Sequence, residues 1–521
     1  MQRCLVFKVR AFDFLSRSAH LLLFPSLFYC GCGGVTEGNL GRHAYLLQQS
    51  DSRFSMASPK LISSSVVPGS DKVEIDSRII FTFDMPLNSS QIDSNTIRIR
   101  RSDTGELLQG DVRYANNSIE FQVDRRFLMK SKSDGSMETV YSGLKADLAY
   151  AVQFGTLFGE DGSQSPDSGK LFSFRTVQED HGIYWLGENG EYEKFRPGIQ
   201  SKYFDPLRPT VLHLHGWQKG TSQYDMQREN VFVYTGSPYG NANVIGKWRN
   251  KGYNVGEYFW NQIADEQDIR DAETKVWLGE SGTRSGTDGT ISMRYRLRNG
   301  NFVSMPAEKN VTTMFVDEYM QAFADYQGSG VRLTGHSLGA QIAEHAIYLL
   351  AKSADEGKIA NKIVPTRLAL LDPFWSKGGK AYLDGKSTAE VSSPEILGVV
   401  SSRNLVVEQV KTSLIGGIVV GDENLPLRKV TAFARVLPKF IPQTDMASLH
   451  LYSYVWYLNS IERLIPTSSG PLGAAAPDAE IWAKMNFSHG ANPVYWKQVA
   501  GSDSPKVDDD RFEDVSGVET W

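Results

Sequence analysis

Five residues, Gly335-His336-Ser337-Leu338-Gly339, stand between an apolar run, Val331-Arg332-Leu333-Thr334, and a helix-spaced segment from about Ala340 to Lys352. Few features restrict a fold more. A serine in this setting occupies a sharp strand-to-helix turn, so the positions two residues before and after it must lack a Cβ. The turn lifts the hydroxyl above the end of a sheet and aims the following N–H, that of Leu338, at the same point. That N–H sits at a helix N-terminus, where the aligned peptide dipoles favour negative charge. Ser337 is therefore the candidate nucleophile, with Gly335, His336 and Gly339 supporting it and Leu338 as a candidate oxyanion donor.

The chain around this turn alternates strands with helices, which predicts a mostly parallel sheet flanked by helices, an α/β-hydrolase fold. Thr210-Val211-Leu212-His213-Leu214 reads as a strand, as do Tyr253 to Trp260 and Arg367 to Leu371, and Phe315, Tyr319, Ala322 and Tyr326 share a helical spacing. The first of these strands runs into His215-Gly216-Trp217. Trp217 is positioned to supply a second oxyanion N–H, Gly216 lets the backbone approach, and His215 supports the loop.

In this fold the order along the chain is serine, acid, histidine. Asp372 closes the strand after the nucleophile's, at the sheet edge where sites of open α/β sheets lie. Asp422, Glu408 and Asp445 are the other candidates for the acid. Three histidines follow Ser337: His345, His450 and His489. His345 lies eight residues along the nucleophile's own helix and points away. His450 lies in a loop running into an apolar helix, and His489 in a C-terminal region without a clear pattern. His450 is preferred. The apolar segment Leu414 to Val420 reads as a buried strand or, less often for such a run, a lid.

These pieces resemble the pancreatic and lipoprotein lipase family. The likeness rests on Leu214-His215-Gly216-Trp217, on Thr334 to Ala343, on Leu370-Leu371-Asp372-Pro373, and on His450 before Tyr452-Ser453-Tyr454. It covers roughly residues 205 to 460. It implies hydrolysis of carboxylic esters, of acylglycerols or phospholipids, by a Ser337-Asp372-His450 triad without metal or organic cofactor. The animal members are disulfide-rich, whereas this segment has no cysteine; the stretch from Trp217 to Ser337 is long, and it shows no recognisable lid. The rivals are an adhesion or binding protein with an inactive hydrolase fold, and an amidase or peptidase on the same fold.

Before Thr176 the period changes to two. Ile79, Phe81 and Phe83 alternate with Ile80 and Thr82, and similar runs lie at Ile97–Arg100, Ile119–Val123 and Leu148–Phe154, punctuated by Asn116-Asn117 and Asp161-Gly162. About seven short strands predict an antiparallel sandwich over 58 to 177. Val73-Glu74-Ile75, Ile80 to Leu87, Asp147 to Val152 and Phe172 to Thr176 resemble the bacterial Ig-like domains of S-layer and other surface proteins, which implies a spacing or adhesive role. Arg98-Ile99-Arg100-Arg101 reads as the solvated face of a strand.

The chain's three cysteines, Cys4, Cys30 and Cys32, all precede Gly33, so nothing beyond can form a disulfide or a thiol-based metal site. Arg3, Lys8, Arg10 and Arg17 precede a short apolar core, Leu21 to Tyr29, which reads as a secretion signal too short to span a bilayer. A cysteine just after such a core resembles a bacterial lipoprotein signal, with Cys32 preferred to Cys30 as the lipidated residue. The expectation is an extracytoplasmic protein, secreted or membrane-anchored through an N-terminal lipid. A net charge of −5 gives no basic surplus for nucleic acid. The predicted organisation is a signal or lipoprotein-like segment (1–32), a Gly/Ser/Gln-rich linker (33–57), the sandwich (58–177), the hydrolase (178–465) and a tail (466–521) without an assigned packing.

Overall fold

The computed structural model describes residues 57–132, 137–236, 238–278, 284–286, 289–305, 309–417, 421–485, 487 and 493–519. The leader, Cys30, Cys32, nearly all of the linker, His489 and Trp521 lie outside the described residues. Met56–Trp521 forms one compact unit. Among the described residues no helix is long and apolar enough to cross a membrane.

Its centre is a ten-stranded mixed sheet. From one edge the strands are Tyr192–Lys194, Gly182–Leu186, Asn254–Phe259, Thr210–Leu214, Val331–His336, Arg367–Leu371, Val406–Lys411, Ala432–Arg435, Val494–Ala500 and Arg511–Ser516. Asn254–Phe259 through Val494–Ala500 are mutually parallel, and the pairs at both edges are antiparallel. Every residue of Thr210–Leu214, Val331–His336 and Arg367–Leu371 is buried, as expected for parallel strands covered on both faces. Tyr258 meets Phe315 of the helix Val311–Ala322 at 4.9 Å, whereas His336 meets Tyr454 of Met446–Asn459 at 5.0 Å. These sheet positions differ by one in register, so the two helices cover opposite faces.

Register fixes where chemistry can occur. Leu214 pairs with Gly335, and Gly335 with Leu370, so three neighbouring parallel strands end together. The segments that leave them, His215–Trp217, Ser337–Leu338 and Asp372, therefore emerge at one edge of the sheet.

Before residue 177 two antiparallel sheets pack face to face. One runs Leu61–Ser64, Ile79–Phe83, Ser118–Val123, Gly110–Ala115; the other runs Ile97–Arg101, Ala149–Phe154, Leu171–Arg175. Phe81 of the first sheet lies edge-on to Phe154 of the second at 4.9 Å and to Phe172 at 6.0 Å. Asn116 and Asn117, both with positive φ, make the two-residue hairpin turn between Ala115 and Ser118. A further hairpin, Phe127–Ser131 with Met137–Tyr141, brings Phe127 within 5.8 Å of Phe259 in the large sheet.

Four sequence expectations change here. Arg98 and Arg100 are exposed, but Arg101 is half-buried and bonds Asp225 through two nitrogens at 2.8 and 3.1 Å. His450 is not in a loop: the helix Met446–Asn459 starts four residues earlier, because the Asp445 carboxylate caps it by accepting from the Ser448 N–H at 3.1 Å. Leu414–Gly417 form a turn, closed by Gly417 N–H to Leu414 O at 3.0 Å, and not a strand; the rest of that apolar run lies outside the described residues. The C-terminal region is built into the fold, supplying two strands of the large sheet and a helix, Asp478–Lys484, packed against Val406–Lys411.

That region is locked by Asp510. Its carboxylate oxygens accept from Trp456 Nε1 at 2.6 Å and Gln498 Nε2 at 2.9 Å in a fully buried position. Burial pushes this carboxyl up to about 7, against the two hydrogen bonds. A raised folded pKa stabilises fully below the unfolded value of about 3.9, and the contribution is lost as pH rises towards 7. Asp510→Asn should therefore flatten the fall in Tm between pH 4.5 and 7.5, measured by thermal melts; an unchanged slope would refute the assignment.

Candidate active site

Ser337 takes φ +52°, a left-handed conformation that a non-glycine residue holds only when its surroundings enforce it. Its N–H donates to Leu371 O at 3.1 Å, and its carbonyl accepts from Phe374 N–H at 3.1 Å. The glycines show why the turn tolerates no substituent. A Cβ on Gly339 would stand 2.1 Å from Leu214 O, and one on Gly335 would stand 2.6 Å from Ala340 Cα. A Cβ on Gly216 would stand 2.8 Å from Ser337 Cβ, so this loop runs directly against the candidate nucleophile.

Trp217 is held by its indole Nε1, which donates to Glu266 O at 2.8 Å, and by Gln218 N–H to Ala264 O at 3.4 Å. Among the described residues, no backbone carbonyl accepts from the Trp217 or the Leu338 N–H. Such groups are available to an anion. His215 has a different place: it is fully buried, accepts from Trp260 N–H through Nε2 at 3.0 Å, and lies parallel to the Trp260 ring. Burial lowers its pKa to about 4, with an opposing hydrogen bond to Gly216 O, so it is a neutral brace for the loop.

Asp372 also adopts a positive φ, +40°, and its N–H donates to Val410 O at 2.7 Å. Its Oδ2 lies 2.7 Å from His450 Nδ1 and also accepts from the Ser413 hydroxyl. The carboxylate is fully buried and Oδ1 has no partner among the described residues. Lys411 and Arg428 supply positive field. Burial lowers both, to about 8 and about 10, and the charge of Asp372 opposes that lowering in each. With Nδ1 engaged by Asp372, His450 keeps Nε2 free for other chemistry.

The other candidates are occupied elsewhere. Glu408 is buried in a pair with Arg367 Nε at 2.7 Å and also accepts from the Tyr457 hydroxyl. Asp422 accepts from Asn424 N–H at 2.8 Å, Asp445 is a helix cap, and His345 bonds Glu395 at 2.9 Å. His336 is buried with its ring 4.5 Å from that of His450 and its Nδ1 3.8 Å from Glu229. Sequence reading passed over Ser413, Gln218 and Glu229. The position of Ser413, two residues past the end of the strand beside Asp372, was a usable signal; nothing in the sequence marks Glu229. Among the described residues, no group of three or more His, Cys, Asp or Glu could hold a metal ion.

No protein family matches the chain, and no curated protein does. Solved structures similar to it include a thermostable esterase, with 14% identity, a TM-score of 0.27, and coverage of 78% of this chain and 96% of that one. An acylaminoacyl peptidase matches with 10% identity, a TM-score of 0.26, and coverage of 80% and 58%. The N-terminal part of the bacterial S-layer protein SbsC matches with 14% identity, a TM-score of 0.17, and coverage of 25% and 27%.

The turn around Ser337 yields a stability test independent of any assay. Gly339→Ala forces a methyl onto two carbonyl oxygens, of Leu214 and His215, and should cost about 1–3 kcal/mol or more. Gly398, inside the helix Thr388–Arg403, has nothing within 4 Å of its would-be Cβ. Gly398→Ala should therefore gain roughly 0.5–1 kcal/mol. Denaturant titrations that reverse this order would refute the packing described.

Proposed function

We propose that the protein is a serine ester hydrolase acting on carboxylic esters through Ser337, Asp372 and His450. The observation that carries this reading is the 2.7 Å contact between His450 Nδ1 and the buried Asp372 carboxylate. It forms at the sheet edge where the strained turn presents Ser337. His450 Nε2 takes the Ser337 hydroxyl proton as Oγ attacks the ester carbonyl. The Trp217 and Leu338 N–H groups hold the resulting oxyanion. On collapse, Nε2 returns the proton to the departing alcohol oxygen, leaving an acyl-serine. Water, deprotonated by His450, then attacks the acyl carbon, and on collapse the bond to Ser337 Oγ breaks as Nε2 returns the proton to it, releasing the carboxylic acid and restoring the free serine. Asp372 fixes the tautomer that makes Nε2 the base and stabilises the imidazolium formed twice in the cycle.

Acylglycerols or phospholipids are the proposed substrates, on the lipase-like motifs around His215–Trp217 and Ser337. The proposal extends to an Ig-like N-terminal part of the S-layer type, on its paired antiparallel sheets, and to an envelope location with a lipid at Cys32, on the leader pattern. Mass spectrometry of the mature N-terminus tests the last; an unmodified N-terminus upstream of Cys32 would refute it.

The decisive experiment is fluorophosphonate labelling with an ester and amide panel. Labelling should map to Ser337, and Ser337→Ala should abolish labelling and turnover in a folded protein. Preference for amides would move the reading to an amidase, and a wild-type protein that neither labels nor turns over would leave a binding protein. Asp372→Asn should reduce kcat by about 10⁴, whereas Asp422→Asn and Asp445→Asn should change it little. Glu408→Gln should lower stability by breaking its pair with Arg367 and leave kcat of the folded fraction near wild type.

A further inference from the structure

The segment from Gln218 to Val231 joins two regions of the molecule that the sequence keeps apart. At its start, the Asp265 carboxylate accepts from Gly220 N–H at 2.6 Å and Ser222 N–H at 3.0 Å. At its middle stands Asp225. Arg101 bonds it through two nitrogens, Lys145 pairs with it, and Arg298 reaches it at 3.1 Å. Arg101 ends an N-terminal strand, and Lys145 lies in the loop between two others, Met137–Tyr141 and Ala149–Phe154. Asp225 and Met226 both have positive φ, +55° and +52°, a strained pair of non-glycine residues that the surrounding contacts must hold. Arg228 follows, fully buried, its guanidinium 4.8 Å from the Tyr141 ring of the N-terminal hairpin.

The segment then reaches the site. Glu229 Oε2 accepts from Gln218 Nε2 at 2.6 Å, and its Oε1 lies 3.8 Å from His336 Nδ1. Gln218 follows Trp217, and His336 precedes Ser337 and Leu338. Glu229 thus stands between the two segments that carry the candidate oxyanion donors, hydrogen-bonded to the one after Trp217 and packed, without a hydrogen bond, near the His336 ring at the end of the strand before Ser337.

We propose that the N-terminal strands are a positioning part of the active site, acting through residues 218–231 with Asp225 as anchor and Glu229 as the contact that sets the spacing of the Trp217 and Leu338 loops. This rests on the proposed ester hydrolysis at Ser337. It assigns the N-terminal strands a role beyond spacing or adhesion. The oxyanion donors act only when aimed at the developing charge, and a displacement of about 1 Å can cost about 10²-fold in rate.

The test uses the full chain. Arg101→Ala/Lys145→Ala releases the anchor, Glu229→Ala removes the contact, and Glu229→Gln keeps its size and an acceptor for Gln218. Arg78→Ala, which breaks a surface pair with Glu120 in the same strands, is the control. Activity is referred to the concentration of sites titrated by fluorophosphonate. The anchor and Glu229→Ala variants should lose about 10- to 100-fold in kcat and in phosphonylation rate, with KM within about threefold of wild type. Glu229→Gln should restore most of the kcat, and Arg78→Ala should match wild type. If the anchor variant fails to fold, the Glu229→Ala and Glu229→Gln comparison decides alone. Folded variants with wild-type kcat per titrated site would overturn the proposal. A wild-type protein that neither labels nor hydrolyses esters would instead overturn the reading of Ser337 itself.

Discussion

The Leu214 carbonyl oxygen would lie 2.1 Å from a Cβ at Gly339, and much of the molecule follows from that approach. It means that the first turn of the helix Gly339–Asp355 rests on the end of the neighbouring strand, with no side chain between. The chain can reach that helix from Val331–His336 only through a left-handed residue, and Ser337 is that residue. A left-handed serine costs of order 1–3 kcal/mol, so the surroundings must over-determine it. They do so with hydrogen bonds on both sides of the residue, from its N–H to Leu371 and from Phe374 to its carbonyl. Those partners flank Asp372, which therefore cannot shift without disturbing Ser337.

The buried carboxylate is the second constraint. An ionised Asp372 with no exposure would be costly unless paired, since desolvation of a lone carboxylate costs several kcal/mol. Here the cost is offset by His450, the Ser413 hydroxyl and the field of Lys411 and Arg428. Lys411 and Ser413 leave the strand beside Asp372, and Arg428 follows in the next connection. The acid is thus supplied by one strand and stabilised by the next. Both strands end at the site, which is why Glu408 stood in the sequence as an alternative to the preferred Asp372, but Glu408 sits earlier on its strand and is spent on Arg367.

What was legible in the sequence was local geometry with strict spatial needs. The glycines at 335 and 339, the His215-Gly216-Trp217 loop and Asp372 at a strand end were legible because strand ends and missing Cβ atoms leave marks at fixed spacing. The alternation of Ile79, Phe81 and Phe83 was legible for the same reason, since one face of each sheet is buried. The start of the helix before His450 was missed because a single capping carboxylate, Asp445, decided it. The C-terminal strands were missed because Arg511–Ser516 is an edge strand and Val494–Ala500 lies beside it, and exposed positions break up the apolar run of both. The partner of Arg101 was invisible, because 124 residues separate it from Asp225 and nothing local in either segment encodes the pairing.

The same reasoning orders the molecule's outer parts. A long parallel sheet exposes unpaired backbone at both edges, which invites association with other chains. One edge here is closed by Tyr192–Lys194, beneath the N-terminal strands; the bridge between Arg126 and Glu191 ties the two. At the other, Arg511–Ser516 turns back on Val494–Ala500 as a short antiparallel edge strand with alternating exposed positions. Both additions also reach inward. Asp510 binds Trp456, which lies on the helix that carries His450, and Arg101 and Lys145 hold the segment that carries Glu229. The elements that cap the sheet are thus also the ones that brace the two sides of the site. On this architecture the edge that carries the candidate site is held from both flanks, and each flank is fixed by one carboxylate, Asp510 on one and Asp225 on the other. They are fixed in opposite electrostatic regimes. Burial drives Asp510 up to about 7, whereas at Asp225 burial is outweighed by Arg101 and Lys145, which hold it down at about 2. In the folded protein Asp510 therefore stays neutral until the pH nears 7 and Asp225 stays ionised until it nears 2, so both braces hold between those values.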